Sequence, residues 1–359
     1  MRNEIGVSGT AYKWFESYLK GRTQRVKVNN SYSEASNLDF GLTQGSVLGP
    51  PLFNIYVRSF YPFVHALKFN VEGFADDHQL FKHFVPMFQT QVLGSDVNNC
   101  LRAVSEWMST FFLKLNKSKT KILVLAPPSV LSEIEIHGMF MDNNCIRFVT
   151  SAKNLGVWLD ENLNFKAHIR KVVSSSFMVI RDIGKIRRFL PHESLCTVVC
   201  SLVLSKLDYC NALYYNLYAS DLKMLQSVQN AAIRLISGGH KFDRKSISPL
   251  YVKHHWLRIR ERIIFKMCLL IHKCVSGTAP ESLREKIEMS PSYKRTYNLV
   301  ERKFESEYGK RAFSRAGPKL WNNLPIAIRM ESDTTEFKKL LKTYLMTDAE
   351  RYQSYVNMR

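Results

Sequence analysis

Two adjacent carboxylates, Asp76 and Asp77, stand between apolar residues in GFADDHQLF, residues 73 to 81. Neighbouring negative charges repel each other and resist leaving water, so the pair implies either a bound cation or a solvated turn. Other residues invite chemistry with less force. Cys196 and Cys200 sit at helical spacing in CTVVC, and HKC puts His272 beside Cys274. A zinc site needs convergent ligands at recognisable spacing, and the sequence contains no CxxC, so these are read as core thiols. His254 and His255 adjoin Trp256, which reads as a buried indole beside two polar rings, although base stacking is the alternative. Asp208 and Tyr209 in KLDYCNALYY read as a helix capping and packing feature.

The elements that must position the carboxylates follow from periodicity. AYKWFESYLK, residues 11–20, is apolar at helical intervals and is followed by Gly21. RTQRVKVNN and SYSEASNLDFGLTQGS read as a strand pair leading into a glycine-marked loop. Pro50 and Pro51 lack amide donors, which places a helix start near Pro51. ALKFNVEGFADDHQLFKHF has two short apolar runs with Asp76 and Asp77 where a hairpin would turn. DVNNCLRAVSEWMSTFFLKLN predicts an amphipathic helix with Asp96 as its N-cap. KTKILVLAP predicts a short buried strand, and AKNLGVWLDENLNF a tight hairpin or a bulged strand, since Gly156 interrupts an apolar run. From about residue 165 the pattern is helical, punctuated at Pro191, SGGH, SGTAP and RAGPKLW. Strands and helices are mixed in the first half and helices fill the second, an α+β chain.

The 359 residues are 45% hydrophobic, enough for two or three domains with buried cores. A formal charge of +20 favours a polyanionic partner. The excess is uneven: residues 1–125 hold 14 Lys and Arg against 9 Asp and Glu, leaving 37 against 22 for the remainder. KIRRF and RIRERIIFK mix basic with apolar or aromatic positions, as a helix lying on a phosphate backbone would. Seven scattered cysteines argue against a disulfide framework, and no apolar signal core opens the chain. An intracellular location, nucleus or cytoplasm, is expected, without secretion or a membrane partner. Oligomeric state is not legible.

Three pieces become informative in order: QGSVLGPPLF at 44–53, FADD at 74–77 and LNKSKTKILVL at 115–125. Together they resemble the palm of reverse transcriptases from non-LTR retrotransposons, the long interspersed element class. The resemblance continues through KNLGVWLDENLNF, LDYCNALYY, LQSVQNAAIRLI, HHWLRIRERIIFK and FSRAGPKLWNNLP. It implies an RNA-directed DNA polymerase using RNA template, DNA primer and deoxynucleotides, with two Mg2+ ions stabilising the attacking and leaving oxygens. By the family pattern Asp76 is the direct metal ligand and Asp77 its less demanding neighbour. Gln44, Gly45 and Ser46 would line the template and nucleotide pocket, where a glycine lets backbone approach a base or sugar. Thr43 and Pro51 stand where the family usually has proline and leucine. Lys119 would be the catalytic lysine near the leaving phosphates, where it can neutralise charge or supply a proton. Leu155, Gly156 and Val157 resemble the hairpin that supports the primer terminus.

The implied organisation is a partial palm over 1–125, then the end of the palm, the primer-grip-like hairpin and the start of the thumb over 126–190. A basic helical C-terminal region would occupy 191–359. The family carries a further metal-binding aspartate upstream of AYKWFESYLK, and the sequence has no aspartate before Tyr12; Asp39 alone precedes Asp76. The endonuclease that such elements encode is also absent from these residues. The expectation is therefore a truncated reverse transcriptase, inactive alone. Two alternatives remain: a non-catalytic nucleic-acid-binding remnant, or a helical interaction protein in which LQSVQNAAIRLI and HHWLRIRERIIFK pack on a partner or on one another.

Overall fold

The computed structural model describes residues 5–42, 45–131, 139–141, 144–146, 148–238 and 246–347, with backbone alone at 86–93, 139–141 and 144–145. The chain divides into two units: Met1–Lys117 with Glu135–Cys145, and Ser118–Ile134 with Ile146–Arg359. Helices dominate both. Strands occur only in two-stranded sheets among the described residues, which fits the α+β expectation.

In the first unit, helix α1 (Gly9–Leu19) follows the expected period but buries none of its residues. Two small antiparallel pairs come next: β1 (Thr23–Gln24) with β4 (Ser36–Asn37), and, nested inside, β2 (Lys27–Val28) with β3 (Ser31–Tyr32). The inner turn contains Asn29 at φ 54, a conformation asparagine tolerates better than most residues. Helix α2 (Gly49–Tyr56) starts with both prolines in its first turn, where no amide donor is needed. After α3 (Phe60–Ala66) come the paired strands β5 (Asn70–Phe74) and β6 (Asp77–Phe81).

Helix α4 spans Pro86–Thr110, so it begins well before the expected cap. Pro86 opens it, and Asp96 lies within it, paired with Lys82 rather than capping an end. Its face at Cys100, Val104, Trp107 and Met108 covers Phe60, Val64, Phe69 and Val71 to make the core of this unit. Trp107 stacks on Phe111 at 4.2 Å and tilts against Phe60 at 5.0 Å.

The second unit departs from expectation at its start. The KTKILVLAP segment makes no strand ladder; Ile122 forms a lone parallel bridge with Phe148, and Leu125 is exposed. An apolar run becomes a strand only when a neighbouring backbone offers a ladder, and here a single rung is available. The tight hairpin does form, from β9 (Ser151–Asn154) and β10 (Val157–Asp160), which follow the short pair β7 (Met139–Met141) and β8 (Asn144–Ile146) in the chain. Asp160 then accepts backbone N–H bonds from Asn162, Asn164 and Phe165 at 3.2, 3.0 and 2.7 Å, organising the entry to α5 (Lys166–Ile186).

The helical stack continues with α6 (His192–Val199), a π turn at Cys200–Leu204 and α7 (Ser205–Asp208). Then follow α8 (Ala219–Ser237), α9 (Ser248–Lys253), α10 (Ile259–Val275), α11 (Phe313–Asn322) and α12 (Thr334–Thr347). In α8 the residues Leu222, Leu225, Val228, Ala232, Ile233 and Ile236 are buried at helical spacing. Gln229, buried with them, donates to the Leu257 carbonyl at 2.8 Å and so leaves no orphan amide. RAGPKLW is not a break: Gly317 and Pro318 lie buried inside α11. The thiols divide. Cys268 and Cys274 are buried, as is Cys100 of the first unit, whereas Cys196 is half-buried and Cys200 and Cys210 are exposed. The core-thiol reading therefore holds for Cys274, holds in part for Cys196, which packs against the edge of the core, and fails for Cys200.

Candidate functional site

The β5–β6 register pairs Phe74 with Asp77, which leaves Ala75 and Asp76 as a two-residue turn. Ala75 adopts φ 55, a left-handed conformation that costs an L-residue about 1–2 kcal/mol but suits the first position of a tight hairpin. The carboxylates follow directly. Asp76 occupies the second turn position and Asp77 opens β6, both exposed.

The other face of the hairpin is anchored. Val71 and Leu80 pair across the strands and join the core, and Gly73 pairs with His78 two residue pairs nearer the turn. A side chain at 73 would collide with the Tyr61 hydroxyl, so any larger residue there would have to displace the Tyr61 ring. The His78 ring meets Phe60 edge to face at 4.9 Å, and its Nδ1 lies 3.2 Å from the Asp76 carbonyl oxygen. Burial lowers the His78 pKa, opposed by that carbonyl and by the charges of Asp76 and Asp77. The ring is thus neutral near pH 7, and the tautomer protonated at Nδ1 is the one that can donate to the turn. Aromatic packing below and a hydrogen bond at the tip hold the two carboxylates out in water. His78 and Tyr61 stand outside the expected site; His78 adjoins FADD in the chain, a signal that could have found it, whereas nothing local marks Tyr61.

In the glycine-marked loop, Gly45 has φ 83 and is exposed, and Ser46 Oγ lies 2.5 Å from the Tyr18 hydroxyl, tying the loop to α1. Gln44 lies outside the described residues. Lys119 belongs to the second unit. So does the β9–β10 turn, where Leu155 (φ 44) and Gly156 (φ 87) take the two positive-φ positions of a tight hairpin. A Cβ on Gly156 would stand 3.3 Å from the Tyr209 ring, whose hydroxyl donates to the Leu155 carbonyl at 2.5 Å. Leu155 is exposed and Val157 points into the core. Tyr209 is therefore a packing residue, as expected, and its target is this turn. Asp208 beside it receives both Nε and Nη2 of Arg262, with Nε at 2.7 Å, pinning α7 to α10.

The basic segments are partly engaged already. In RIRERIIFK, Ile259, Ile263 and Ile264 are core residues, Arg262 is paired with Asp208, and Arg258 stacks on Tyr251 at 5.1 Å. Lys171 lies 3.0 Å from the centroid of the Trp158 ring. Trp256 is half-buried against the core, which agrees with the packing reading of HHW.

Comparison with known proteins bears on the first unit most directly. Residues 3–159 match the family described as reverse transcriptase (RNA-dependent DNA polymerase). Over 200 residues the chain is 26% identical to the "Probable RNA-directed DNA polymerase from transposon BS" of Drosophila melanogaster, covering 52% of this chain and 20% of that protein. It is 22% identical over 238 residues to the "RNA-directed DNA polymerase from mobile element jockey" of the same species, covering 63% of this chain and 25% of the relative. A "Retrovirus-related Pol polyprotein from type-1 retrotransposable element R1" of Nasonia vitripennis is 23% identical over 208 residues, covering 54% of this chain and 58% of the relative. No solved structure matches. Residues 3–159 are thus similar to reverse transcriptases. These relatives are named as products of mobile elements, and the match spans a fifth to a quarter of the length of the two Drosophila relatives.

Proposed function

We propose that this chain supplies the metal-bearing hairpin and the basic helical region of an RNA-directed DNA polymerase that works on RNA template and DNA primer with deoxynucleotides. The observation that carries the reading is the display of Asp76 and Asp77 in solvent at the tip of an anchored hairpin. Two exposed carboxylates suit Mg2+, which takes one or two of them and completes its shell with water and phosphate. When bound, the two ions of the complete site would supply charge stabilisation for phosphoryl transfer. Asp76 is proposed as the direct ligand and Asp77 as its neighbour. In the same reading Gln44, Gly45 and Ser46 border the template and nucleotide, Lys119 serves the leaving phosphates, and Leu155, Gly156 and Val157 support the primer end. The palm is assigned to 1–125, the transition to the thumb to 126–190 and the basic helical region to 191–359, in an intracellular protein.

Alone, the 359 residues are proposed to bind primed template with little or no extension. Among the described residues no third His, Cys, Asp or Glu gathers closely with Asp76 and Asp77, and losing one electrostatic contributor costs about 10²–10³ in rate. Among those residues, too, no helix is long and apolar enough to cross a membrane. The test is Mn2+ binding followed by electron paramagnetic resonance, with primer extension on RNA run alongside. Asp76→Asn is expected to weaken Mn2+ binding about tenfold or more and to remove any extension that is seen. Equal binding and equal extension by Asp76→Asn would refute the assignment. A non-catalytic nucleic-acid-binding role is favoured by the charge excess of residues 126–359, 37 basic against 22 acidic. It predicts salt-sensitive RNA binding that Asp76→Asn leaves intact.

A further inference from the structure

The polymerase reading leaves one constellation unused. His192 and Cys196 stand four residues apart on α6 and therefore share a face. Cys196 Sγ lies 3.6 Å from His192 Nε2. His254, at the end of α9, brings its ring centroid to 6.0 Å from that of His192. One ligand atom from each of the three lies within 4.8 Å of the other two. In a tetrahedral zinc site, with Zn–N near 2.0–2.1 Å and Zn–S near 2.3 Å, bound nitrogen and sulfur are about 3.6 Å apart. The His192–Cys196 edge already has that length, and side-chain adjustment of about 1 Å would bring His254 to the distance required.

We propose that His192, Cys196 and His254 form a site for a divalent transition metal of the zinc class, linking α6 to the end of α9. Two imidazoles and one thiolate are borderline to soft donors, which select zinc or cobalt over the magnesium suited to Asp76 and Asp77. Burial, His192 and Lys253 lower the pKa of His254, keeping the ring in its neutral, ligating form. Burial and Glu193 raise that of the Cys196 thiol, so metal binding must release its proton, and affinity should fall in acid. Ser237 Oγ, at the end of α8, lies 3.4 Å from His254 Nε2 and can orient the ring. Three protein ligands leave a fourth position for water or an external ligand. The site would tie together helix ends that are remote in the chain, and would fix the rotamer of His192, which is otherwise exposed.

The experiment uses the full chain, stripped with chelator and titrated with Co2+. One equivalent is expected to give the intense visible bands of tetrahedral cobalt and a thiolate-to-cobalt charge-transfer band, both displaced by Zn2+. Cys196→Ser should remove the charge-transfer band, and His254→Gln should weaken Zn2+ binding roughly tenfold or more. Cys200→Ser, one turn further along, should change neither. Differential alkylation of the unmutated chain gives a readout that no folding defect can mimic: Zn2+ should protect Cys196 and leave Cys200 reactive. A cobalt spectrum without a thiolate band, a band that survives Cys196→Ser, or Cys196 alkylation unaffected by Zn2+ would each overturn the proposal.

Discussion

Trp321 and Trp14 contrast the two units. In the second, Trp321 has no exposed surface, packs with Phe337 at 5.8 Å and donates its indole N–H to the Tyr297 carbonyl at 2.8 Å. In the first, Trp14 is 51% exposed and packs on its helical neighbours Phe15 and Tyr18, and Phe40, Phe74 and Phe112 are also exposed. Among the described residues a small core around Phe60 and Trp107 holds the first unit, whereas elements from residue 157 to 345 converge on one large core in the second. Folding free energy therefore concentrates in the helical unit. The unit bearing the carboxylates leaves several large aromatic side chains exposed.

The comparison is tested most severely by the two tryptophans. Trp321→Ala is expected to cost about 3–5 kcal/mol in chemical denaturation, and Trp14→Ala less than about 0.5 kcal/mol. Equal losses would erase the distinction. Trp14→Ala should instead weaken single-stranded RNA binding, by about 1–3 kcal/mol if a base stacks there.

A smaller effect is expected where polar contacts hold the helical unit together. Asp208→Ala leaves the largely buried Arg262 guanidinium without its partner and should cost about 1.5–3 kcal/mol, partly recovered by Asp208→Asn. A cost near zero would show that apolar packing alone fixes α7 against α10.

The smallest effect concerns pH. His272 is buried, stacks on Phe337 at 4.2 Å and places Nε2 3.0 Å from the Glu331 carbonyl. Burial lowers its pKa, with the Glu331 carbonyl and the charges of Glu331 and Asp333 opposing. The unfolded chain thus takes up this proton first. Stability is retained above the ordinary histidine value of about 6.5 and declines as pH falls from there toward the lowered folded value. His272→Gln should flatten that slope in denaturation curves taken on either side of about pH 6.5; an unchanged slope would move the linkage to other groups, His168 first, whose pKa burial also lowers.

The features legible in the sequence were local. FADD announced its turn because adjacent carboxylates between apolar strands have few alternatives, and NLG announced the second hairpin through a glycine that the Tyr209 ring now explains. Errors arose where the deciding partner is remote. Asp96 looked like a cap because its residue type starts helices, yet the helix runs through it and Lys82 pairs with it. RAGPKLW looked like a break, but tertiary packing buries Gly317 and Pro318 inside a helix, with Ile271 of α10 lying where a side chain at 317 would go.

Sequence alone determined the type of chemistry: which residues are carboxylates, where the chain turns, which stretches are helical and where positive charge accumulates. These follow from side-chain chemistry and short-range periodicity, which a linear chain already contains. Tertiary structure decided what stands beside what. It set His78 beneath the Asp76 turn, Tyr209 over Gly156, Arg262 against Asp208, and His254 near His192 and Cys196. Such pairings depend on how helices and hairpins pack across tens of residues, and no local pattern encodes them.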